Sequence, residues 1–270
     1  MTRPIVFLSD YGLQDEYVGV CHGVIARIAP EARVIDLSHA IPAHDVLRGA
    51  VILAGSSRFM PERAVFLAVV DPGVGTQRRS VAIETSSGAT LVGPDNGVLS
   101  MAWDEQGGAV RAVEITSSRV LLDPVSDTFH GRDVFAPAAA HLAAGLGLED
   151  LGPAVPLDVL VRVLFPAPTA GPDGLHCVVL SADRFGNLQL AARPADLEPA
   201  GLAEVSRLQV TAGDYILEVP RARTFADLSQ AHAGITVDSA GFLALVVNGG
   251  SAAQSFGVGP GDDVLLARPG

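Results

Sequence analysis

The stretch that most constrains the fold is a continuous apolar strand that runs straight into a polar, glycine-containing loop. Residues 65–70 read Val-Phe-Leu-Ala-Val-Val without alternation, which is typical of a central strand covered on both faces. Asp71 follows at once, Pro72 ends the strand, and Gly73 and Gly75 allow the backbone to approach a ligand closely. Because ligands in open α/β sheets bind beyond the carboxyl ends of strands, this loop is predicted to form part of a site.

A second polar cluster, residues 128–133, lies further along the chain, just before an apolar segment of helical character. Asp71, Arg78 and His130 together supply a carboxylate, a permanent cation and a titratable base. A structural interpretation is also open, in which Asp71 and Arg78 form an ion pair that pins the loop and His130 only packs. Burying an ion pair has a desolvation cost, so its presence in a strand-end loop favours a functional use.

The composition indicates a protein that acts on a small molecule. Of 270 residues, 49% are hydrophobic and 18% are charged, which fits a soluble globular enzyme. The net charge of -12 argues against nucleic acid and anionic membranes as partners. No apolar run is long enough to cross a bilayer and the first residues lead into a strand rather than a signal peptide, so we expect a cytoplasmic protein. Cys21 and Cys177 are expected to be reduced core thiols.

Strand and helix patterns alternate in the first half of the chain. Strands are predicted at 3–9, 32–37, 65–70, 80–84 and 90–92, and helices at 14–29, 45–59 and 97–103. This order indicates a three-layer α/β domain with a mainly parallel sheet over residues 1–165.

Three prolines and two glycines in residues 165–174 cannot continue either kind of element, so this segment is predicted to be the domain boundary. Short apolar runs separated by turn residues follow it, at 175–180, 187–190, 206–210, 215–219, 234–237 and 242–247. They indicate a small antiparallel β-barrel domain over residues 174–270.

Two further polar positions in the first domain have both a binding and a structural interpretation. Asp10 follows a strand and could accept the hydroxyl protons of a ribose, or it could be the N-cap of the helix 14–29. Asp95 and Asn96 lie in Gly-Pro-Asp-Asn-Gly, which is more typical of a turn and helix start.

In the second domain, Asp183 to Asn187 is either a type I turn or a group of ligand contacts. Asn248 and Gly249 follow a strongly apolar strand and could present backbone groups to a purine edge, or form a helix cap and tight turn.

Metal chemistry has only weak support from the sequence. Asp10, Asp71, Asp95 and His130 could share an ion, but Arg78 in the same cluster would repel a dication, so we expect no metal. The chain also has no HExxH, GxSxG, Walker A or CxxC motif, and no lysine for a Schiff base. The remaining histidines are expected to be structural or solvated: His22, His39, His44, His141, His176 and His232.

Six motifs occur in order along nearly the whole chain: Ser9-Asp10-Tyr11-Gly12, residues 70–79, Gly93-Pro94-Asp95-Asn96-Gly97, Thr128-Phe129-His130-Gly131-Arg132-Asp133, Asp183-Arg184-Phe185-Gly186-Asn187, and residues 247–253. With these motifs the chain resembles the S-adenosyl-L-methionine (SAM) hydroxide adenosyltransferases, or adenosine-forming SAM hydrolases, which are relatives of the SAM-dependent fluorinase and chlorinase. Six motifs in order are far more specific than any one of them.

The resemblance implies an N-terminal α/β domain, a C-terminal β-barrel domain and a homotrimer, with SAM bound between one subunit's first domain and a neighbour's second. It implies that SAM is the substrate rather than a cofactor, and that adenosine, methionine and water are the other small-molecule partners.

The resemblance also assigns roles to residues. The hydrolytic triad falls on Asp71, Arg78 and His130, and the ribose-binding aspartate on Asp10. The other substrate-binding positions fall on Phe129, Gly131, Asp183, Asn187, Ser239, Asn248 and Gly249, of which Asp183 and Asn187 hold methionine. The halogenating relatives carry tyrosine where this chain has Asp71, which implies a departure from halide chemistry, whereas a small residue such as Gly131 could line a halide or a water pocket.

The predicted reaction is attack of water or hydroxide on ribose C5′, which expels methionine. In this hypothesis His130 accepts the proton, Arg78 stabilises hydroxide character and Asp71 holds the guanidinium by paired hydrogen bonds. The alternatives are a SAM or adenosine sensor without turnover, a metal-dependent nucleotide hydrolase, and a SAM-dependent halogenase.

Overall fold

The computed structural model describes residues 2–270, which form two compact units, residues 2–164 and residues 165–270. Within the described chain no helix is long and apolar enough to cross a membrane.

A six-stranded sheet forms the centre of the first unit. Its strands are β1 (Ile5–Ser9), β2 (Val34–Ser38), β3 (Val65–Val69), β4 (Ser80–Thr85), β5 (Thr90–Pro94) and β6 (Ala109–Glu114). The order across the sheet is β2-β1-β3-β5-β4-β6, and β4 alone runs antiparallel to its two neighbours. The predicted mainly parallel sheet is therefore confirmed, with an antiparallel strand next to one edge.

Helices cover both faces of this sheet. They are α1 (Tyr17–Ile28), α2 (Val46–Ser57), α3 (Ser100–Glu105) and α4 (Ala136–Ala143). Ile5 and Phe7 of β1 pack in one core with α1 and α4, whereas Val6 and Leu8 pack in a second core with α2 and α3. A strand buried on both faces reads as a continuous apolar run, which explains why β1 and β3 have no polar alternation.

The register of the central strands brings the predicted site residues to one edge of the sheet. β1 and β3 pair in parallel from Ile5 opposite Val65 to Ser9 opposite Val69, so both strands end at the same level. Asp10 therefore leaves β1 beside the point where the chain leads from β3 into Asp71.

Several predicted element bounds differ from those observed. The helix predicted at 14–29 begins only at Tyr17, since residues 13–16 are exposed and no side chain caps the helix at Glu16. The helix predicted at 97–103 begins at Ser100, because Asn96 and Gly97 form the turn before it. Both cysteines are buried as expected, and burial raises the pKa of each thiol to about 12.

The second unit is an almost closed antiparallel barrel. Its strands are β7 (Thr169–Gly171), β8 (Gly174–Ala182), β9 (Leu188–Leu190), β10 (Arg207–Ala212), β11 (Tyr215–Pro220), β12 (Ala233–Val237), β13 (Leu243–Val247) and β14 (Asp263–Ala267), and a short helix α5 (Ala252–Phe256) precedes β14. The order is β11-β10-β14-β8-β9-β13-β12, and a bridge between Arg221 and Ile235 joins the two edges. The predicted barrel is confirmed.

The segment 165–174, which its prolines and glycines predict to be the domain boundary, contains the short strand β7. β7 pairs with β8 from Thr169 opposite His176 to Gly171 opposite Gly174. Gly174 has a φ of +141°, and a Cβ there would lie 2.2 Å from the Leu266 carbonyl oxygen, so glycine is needed where β14 approaches the start of β8.

A five-residue π-helical turn, Gly131–Phe135, leads into α4 and carries the second motif of the predicted site. Gly131 is buried, and an added Cβ would lie 1.9 Å from the Tyr11 hydroxyl oxygen. Glycine at this position therefore makes room for the Tyr11 side chain.

We predict that Gly131→Ala destabilises the first unit by about 1 to 3 kcal/mol, because the methyl group overpacks against Tyr11. Tyr11→Phe removes the clashing oxygen, so the double variant should recover part of that loss beyond additivity. Trp103, the single tryptophan, lies in the first unit, and its fluorescence during urea unfolding measures the change. A fully stable Gly131→Ala variant, or additive effects in the double variant, would contradict this packing.

Candidate active site

Asp71 and Arg78 form a buried ion pair with two parallel hydrogen bonds. Arg78 Nε donates to Asp71 Oδ1 at 2.9 Å, and Arg78 Nη2 donates to Oδ2 at 2.5 Å. The side chains are only 7% and 10% exposed, respectively. Arg78 Nη1 donates to Ser80 Oγ at 2.8 Å, and the buried Phe135 ring lies 5.2 Å from the guanidinium carbon. The paired geometry that the sequence predicted is therefore present.

His130 is the third member of the triad, and it bonds to Arg78 rather than to Asp71. Arg78 Nη2 lies 2.7 Å from His130 Nδ1. Because a guanidinium N–H can only donate, Nδ1 must be the unprotonated nitrogen of a neutral ring, and Nε2 then carries the proton. Burial first, and then the positive charge of Arg78, lower the pKa of His130, and nearby carboxylates offset this only in part. The neutral form is thus favoured near pH 7.

The loop between Asp71 and Arg78 is shaped by contacts within the protein. Gly75 has a φ of +75°, and a Cβ there would lie 2.6 Å from the Asp127 carbonyl oxygen. Glycine lets this loop pack against the chain segment that leads to His130. Gly73 lies close to the Arg78 side chain, and a Cβ there would lie 3.2 Å from its Cγ. Both glycines therefore make room for contacts within the protein.

A cavity of about 260 Å³ opens beside the triad. It is lined by Asp10, Tyr11, Tyr17, Ala43, His44, Asp71, Val74, Thr128, His130 and Gly131. Arg78 is not part of this lining, so the guanidinium holds Asp71 and His130 from behind the wall that they form. Burial raises the pKa of the Tyr11 hydroxyl well above its ordinary value, which keeps this group neutral.

Asp10 lies on the cavity wall and does not cap a helix. Its Oδ2 accepts a hydrogen bond of 2.9 Å from the backbone N–H of His44, whereas α1 begins seven residues later without a side-chain cap. His44 has a φ of +68°, which is uncommon for a residue other than glycine. The helix-cap interpretation of Asp10 is wrong.

Phe129 lies behind the cavity. Its ring packs edge-on against Tyr11 and Tyr17, with centroid distances of 5.8 and 5.2 Å, and both tyrosines line the cavity. Phe129 therefore supports the wall through these two rings.

Asp95 and Asn96 have structural contacts. Asp95 accepts hydrogen bonds from Arg79 at 2.6 and 2.9 Å and from the backbone of Val161 at 2.8 Å. Asn96 bonds to the Val70 carbonyl and the Val98 N–H. Since Asp71 and Asp95 are each paired with an arginine, the metal site that combined them with Asp10 and His130 loses two of its four ligands.

The second unit has its own cavity, of about 680 Å³. It is lined by Asp183, Phe185, Asn187, Phe225, Val247, Asn248, Gly249, Gly250 and Ser251. Four of the five site residues predicted for this unit are therefore together. Phe185 and Phe225 are 68% and 45% exposed, so two aromatic rings are available there for stacking.

The predicted polar residues of the second cavity also stabilise their own loops. Asp183 accepts hydrogen bonds of 2.9 Å from the backbone of Phe185 and of Asn187, and one of 2.8 Å from the Asn187 amide. Asn248 Nδ2 donates to the Leu228 carbonyl at 2.7 Å. These bonds fix the orientation of the side chains that face the cavity.

Ser239, the fifth predicted residue, does not line this cavity. It lies in the turn between β12 and β13, whereas Asn248 follows the other end of β13. The strand of five residues separates the two positions by about 17 Å at 3.3 Å per residue.

Tyr17, His44 and Phe225 line the cavities but were not predicted as site residues. Tyr17 lies at the start of the predicted helix 14–29, and His44 was expected to be structural or solvated. His44 differs from the other histidines in its left-handed backbone conformation, and the sequence does not predict that conformation for a histidine.

The chain matches the two domains of one family. Residues 5–152 match the SAM hydroxide adenosyltransferase N-terminal domain, and residues 177–265 match the SAM hydroxide adenosyltransferase C-terminal domain. It is 49% identical over 264 residues to an (R)-S-adenosyl-L-methionine hydrolase from Salinispora arenicola, covering 97% of each chain. It is 31% identical over 290 residues to a fluorinase from an Actinoplanes species, covering 98% of this chain and 97% of the fluorinase.

A solved structure has the same fold over the whole chain. The crystal structure of an uncharacterised conserved protein from Thermotoga maritima superposes with a TM-score of 0.91 at 34% identity, covering 98% of this chain and all of that one. With both domains matched and relatives aligned from end to end, the chain belongs to the SAM hydroxide adenosyltransferase family.

Proposed function

We propose that this protein hydrolyses S-adenosyl-L-methionine to adenosine and L-methionine. The observation that supports this function best is the hydrogen-bonded triad Asp71–Arg78–His130, two of whose members line a cavity that also contains Asp10. This arrangement presents polar groups to a water molecule next to a carboxylate suited to ribose hydroxyls.

The proposed reaction is a displacement at ribose C5′. The water oxygen forms a bond to C5′ while the C5′–S bond breaks, and the sulfur leaves with the bonding pair as the neutral thioether of methionine. No general acid is needed, because the leaving group carries no negative charge. The water proton is released, so SAM and water give adenosine, methionine and a proton. Holding the water in line with the C5′–S bond can contribute several kcal/mol.

The fate of this proton differs from the sequence hypothesis, in which His130 accepts it. His130 Nδ1 already accepts from Arg78, and Nε2–H of the same neutral ring is a donor. We infer instead that His130 orients the water through Nε2–H and that Asp71 accepts the proton. A carboxylate is a weak base, but the water becomes strongly acidic as its oxygen bonds to carbon, so a weak base suffices late in the step.

The role of Arg78 also changes. Its nitrogens bond to Asp71, His130 and Ser80, and it lies behind the cavity wall. We therefore assign it a positioning role toward the two residues that face the water, rather than direct contact with hydroxide.

Substrate binding is proposed to use both units. Asp10 would hold the ribose hydroxyls, and the cavity with Asp183, Asn187, Asn248 and Gly249 would hold the methionine and adenine ends, with the exposed rings of Phe185 and Phe225 as stacking surfaces. As the family resemblance implies, we propose a homotrimer in which the two contributions come from neighbouring subunits. SAM is then the substrate, no cofactor is required, and the cytoplasm is the proposed location.

The function is tested by incubating the purified chain with SAM, with and without chloride or fluoride, and separating the products. We expect equal amounts of adenosine and methionine at a rate that halide does not change. Binding of SAM without either product would support the sensor alternative. A 5′-halo-5′-deoxyadenosine product would support the halogenase alternative, and a sample without protein controls for spontaneous decay.

We predict that Arg78→Ala lowers kcat about 100- to 10,000-fold while SAM affinity stays within a few-fold, because both residues at the water lose their orientation. Asp10→Ala should show the opposite pattern, with weaker binding of SAM and of adenosine. Arg111, whose ion pair with Glu84 is exposed, supplies the matched control, and Arg111→Ala should behave like the parent protein. Unchanged kcat in Arg78→Ala would remove this residue from the mechanism.

The decrease of kcat/KM at low pH should report the loss of the neutral form of His130. Because burial and Arg78 lower its pKa, the required neutral ring persists as the pH falls to the ordinary imidazole range. We therefore predict a constant kcat/KM between pH 7 and 8 and a decrease with a midpoint below about 6.5. Trp103 fluorescence at each pH shows whether the first unit remains folded. A decrease that begins above pH 7 would contradict this assignment.

A further inference from the structure

Two histidines and one aspartate converge at a place that the proposed reaction does not use. His22 Nε2 lies 2.9 Å from Asp36 Oδ1, and His39 Nε2 lies 3.0 Å from the same oxygen atom. One ligand atom from each of the three residues falls within 4.8 Å of the other two. None of the three lines the cavity beside the triad.

The three residues come from different parts of the first unit. His22 lies on α1, Asp36 lies on β2, and His39 follows the end of β2. The side chains of His22 and Asp36 are 35% and 45% exposed, whereas that of His39 is 3% exposed. The cluster is thus anchored on its buried side and open to solvent on the other, which gives an ion a path of entry.

His39 is held in a fixed orientation by buried neighbours. Its Nδ1 lies 2.7 Å from the Oγ of Ser9, which is fully buried, and its ring packs edge-on against Phe7 at a centroid distance of 4.6 Å. A serine hydroxyl can accept from Nδ1–H, which is the tautomer that leaves Nε2 free to bind a metal. Such a hydrogen bond to the second ring nitrogen is the usual support of a metal-bound histidine.

Two of the three spacings between the ligand atoms match those around a transition-metal ion. Atoms at adjacent positions of an octahedral ion with bonds of about 2.1 Å lie about 3.0 Å apart, and those of a tetrahedral ion lie about 3.4 Å apart. The two nitrogen–oxygen distances of 2.9 and 3.0 Å therefore need little or no movement. Two imidazoles with one carboxylate favour zinc, nickel, copper, cobalt or iron over magnesium and calcium, which prefer oxygen ligands.

Asp36 offers one oxygen atom to both histidines. Both imidazoles approach the same oxygen, Oδ1, although a carboxylate has two. The two Nε2 atoms therefore lie within 4.8 Å of each other. An aspartate that only accepted two hydrogen bonds could use one oxygen for each and would not need to bring the nitrogens together.

We propose that His22, Asp36 and His39 bind a divalent first-row transition-metal ion, with water completing its coordination. The ion would join α1 to β2 at the surface of the first unit, and its role would be structural because the triad and its cavity lie elsewhere.

The proposal is tested on the untagged full-length protein, first treated with a chelator and dialysed, and then titrated with Zn²⁺ against a colorimetric competitor. We expect one ion bound per chain. His22→Gln and Asp36→Asn should weaken binding at least tenfold, and both sites are open enough to solvent that these variants should fold. His176→Gln is the matched control, because His176 forms a solvent-exposed pair with Asp173 in the second unit, and it should bind as the parent does.

Co²⁺ provides a second readout that does not depend on activity. Its visible absorption should report coordination by nitrogen and oxygen in the parent protein and should be lost in His22→Gln. The parent's thermal unfolding midpoint should rise with Zn²⁺, and that of His22→Gln should not. No bound Zn²⁺ in the parent, or equal loss of binding in His22→Gln and His176→Gln, would overturn the proposal.

Discussion

The structure of the site depends on one buried guanidinium. Arg78 bonds to Asp71, His130 and Ser80, and thereby joins the loop after β3, the start of β4 and the turn before α4. Removing one partner of a buried pair of this kind costs about 3 to 5 kcal/mol, because the other charge is left without compensation. The geometry of both residues at the cavity wall is therefore tied to a single side chain.

This arrangement also determines the protonation states. A guanidinium is always charged at physiological pH and has only donors, so Asp71 serves as its acceptor and His130 faces it with the unprotonated Nδ1 of the neutral Nε2–H tautomer. The two residues at the cavity then have opposite roles, because Asp71 accepts hydrogen bonds and His130 donates one through Nε2–H. A water molecule between them can be oriented and can lose a proton without any change in Arg78.

Much of the site could be predicted because it follows from sheet topology. Parallel strands that end at the same level bring Asp10 and Asp71 to one edge, and an apolar strand followed by Asp-Pro-Gly identifies such an end. The carboxylate and guanidinium could likewise be paired from their spacing in one short loop. The second cavity was predictable from the motifs at Asp183 and Asn248, which flank short strands.

Other features depend on contacts that no local pattern records. The tautomer of His130 follows from its distance to Arg78, and the need for glycine at position 131 follows from the Tyr11 hydroxyl. The resemblance assigns both Ser239 and Asn248 to substrate binding, but the length of β13 separates them. The pairing of His22 and His39 through Asp36 requires α1 to pack beside β2, and their spacing in the sequence follows no metal-binding motif.

The central claim is that Arg78 holds His130 neutral with its proton on Nε2. It is tested most directly by measuring the ring ¹⁵N chemical shifts of His130 at pH 7 in the labelled protein, assigned by comparison with His130→Gln. The account predicts an unprotonated Nδ1 and a protonated Nε2. A charged ring, or a proton on Nδ1, would contradict it.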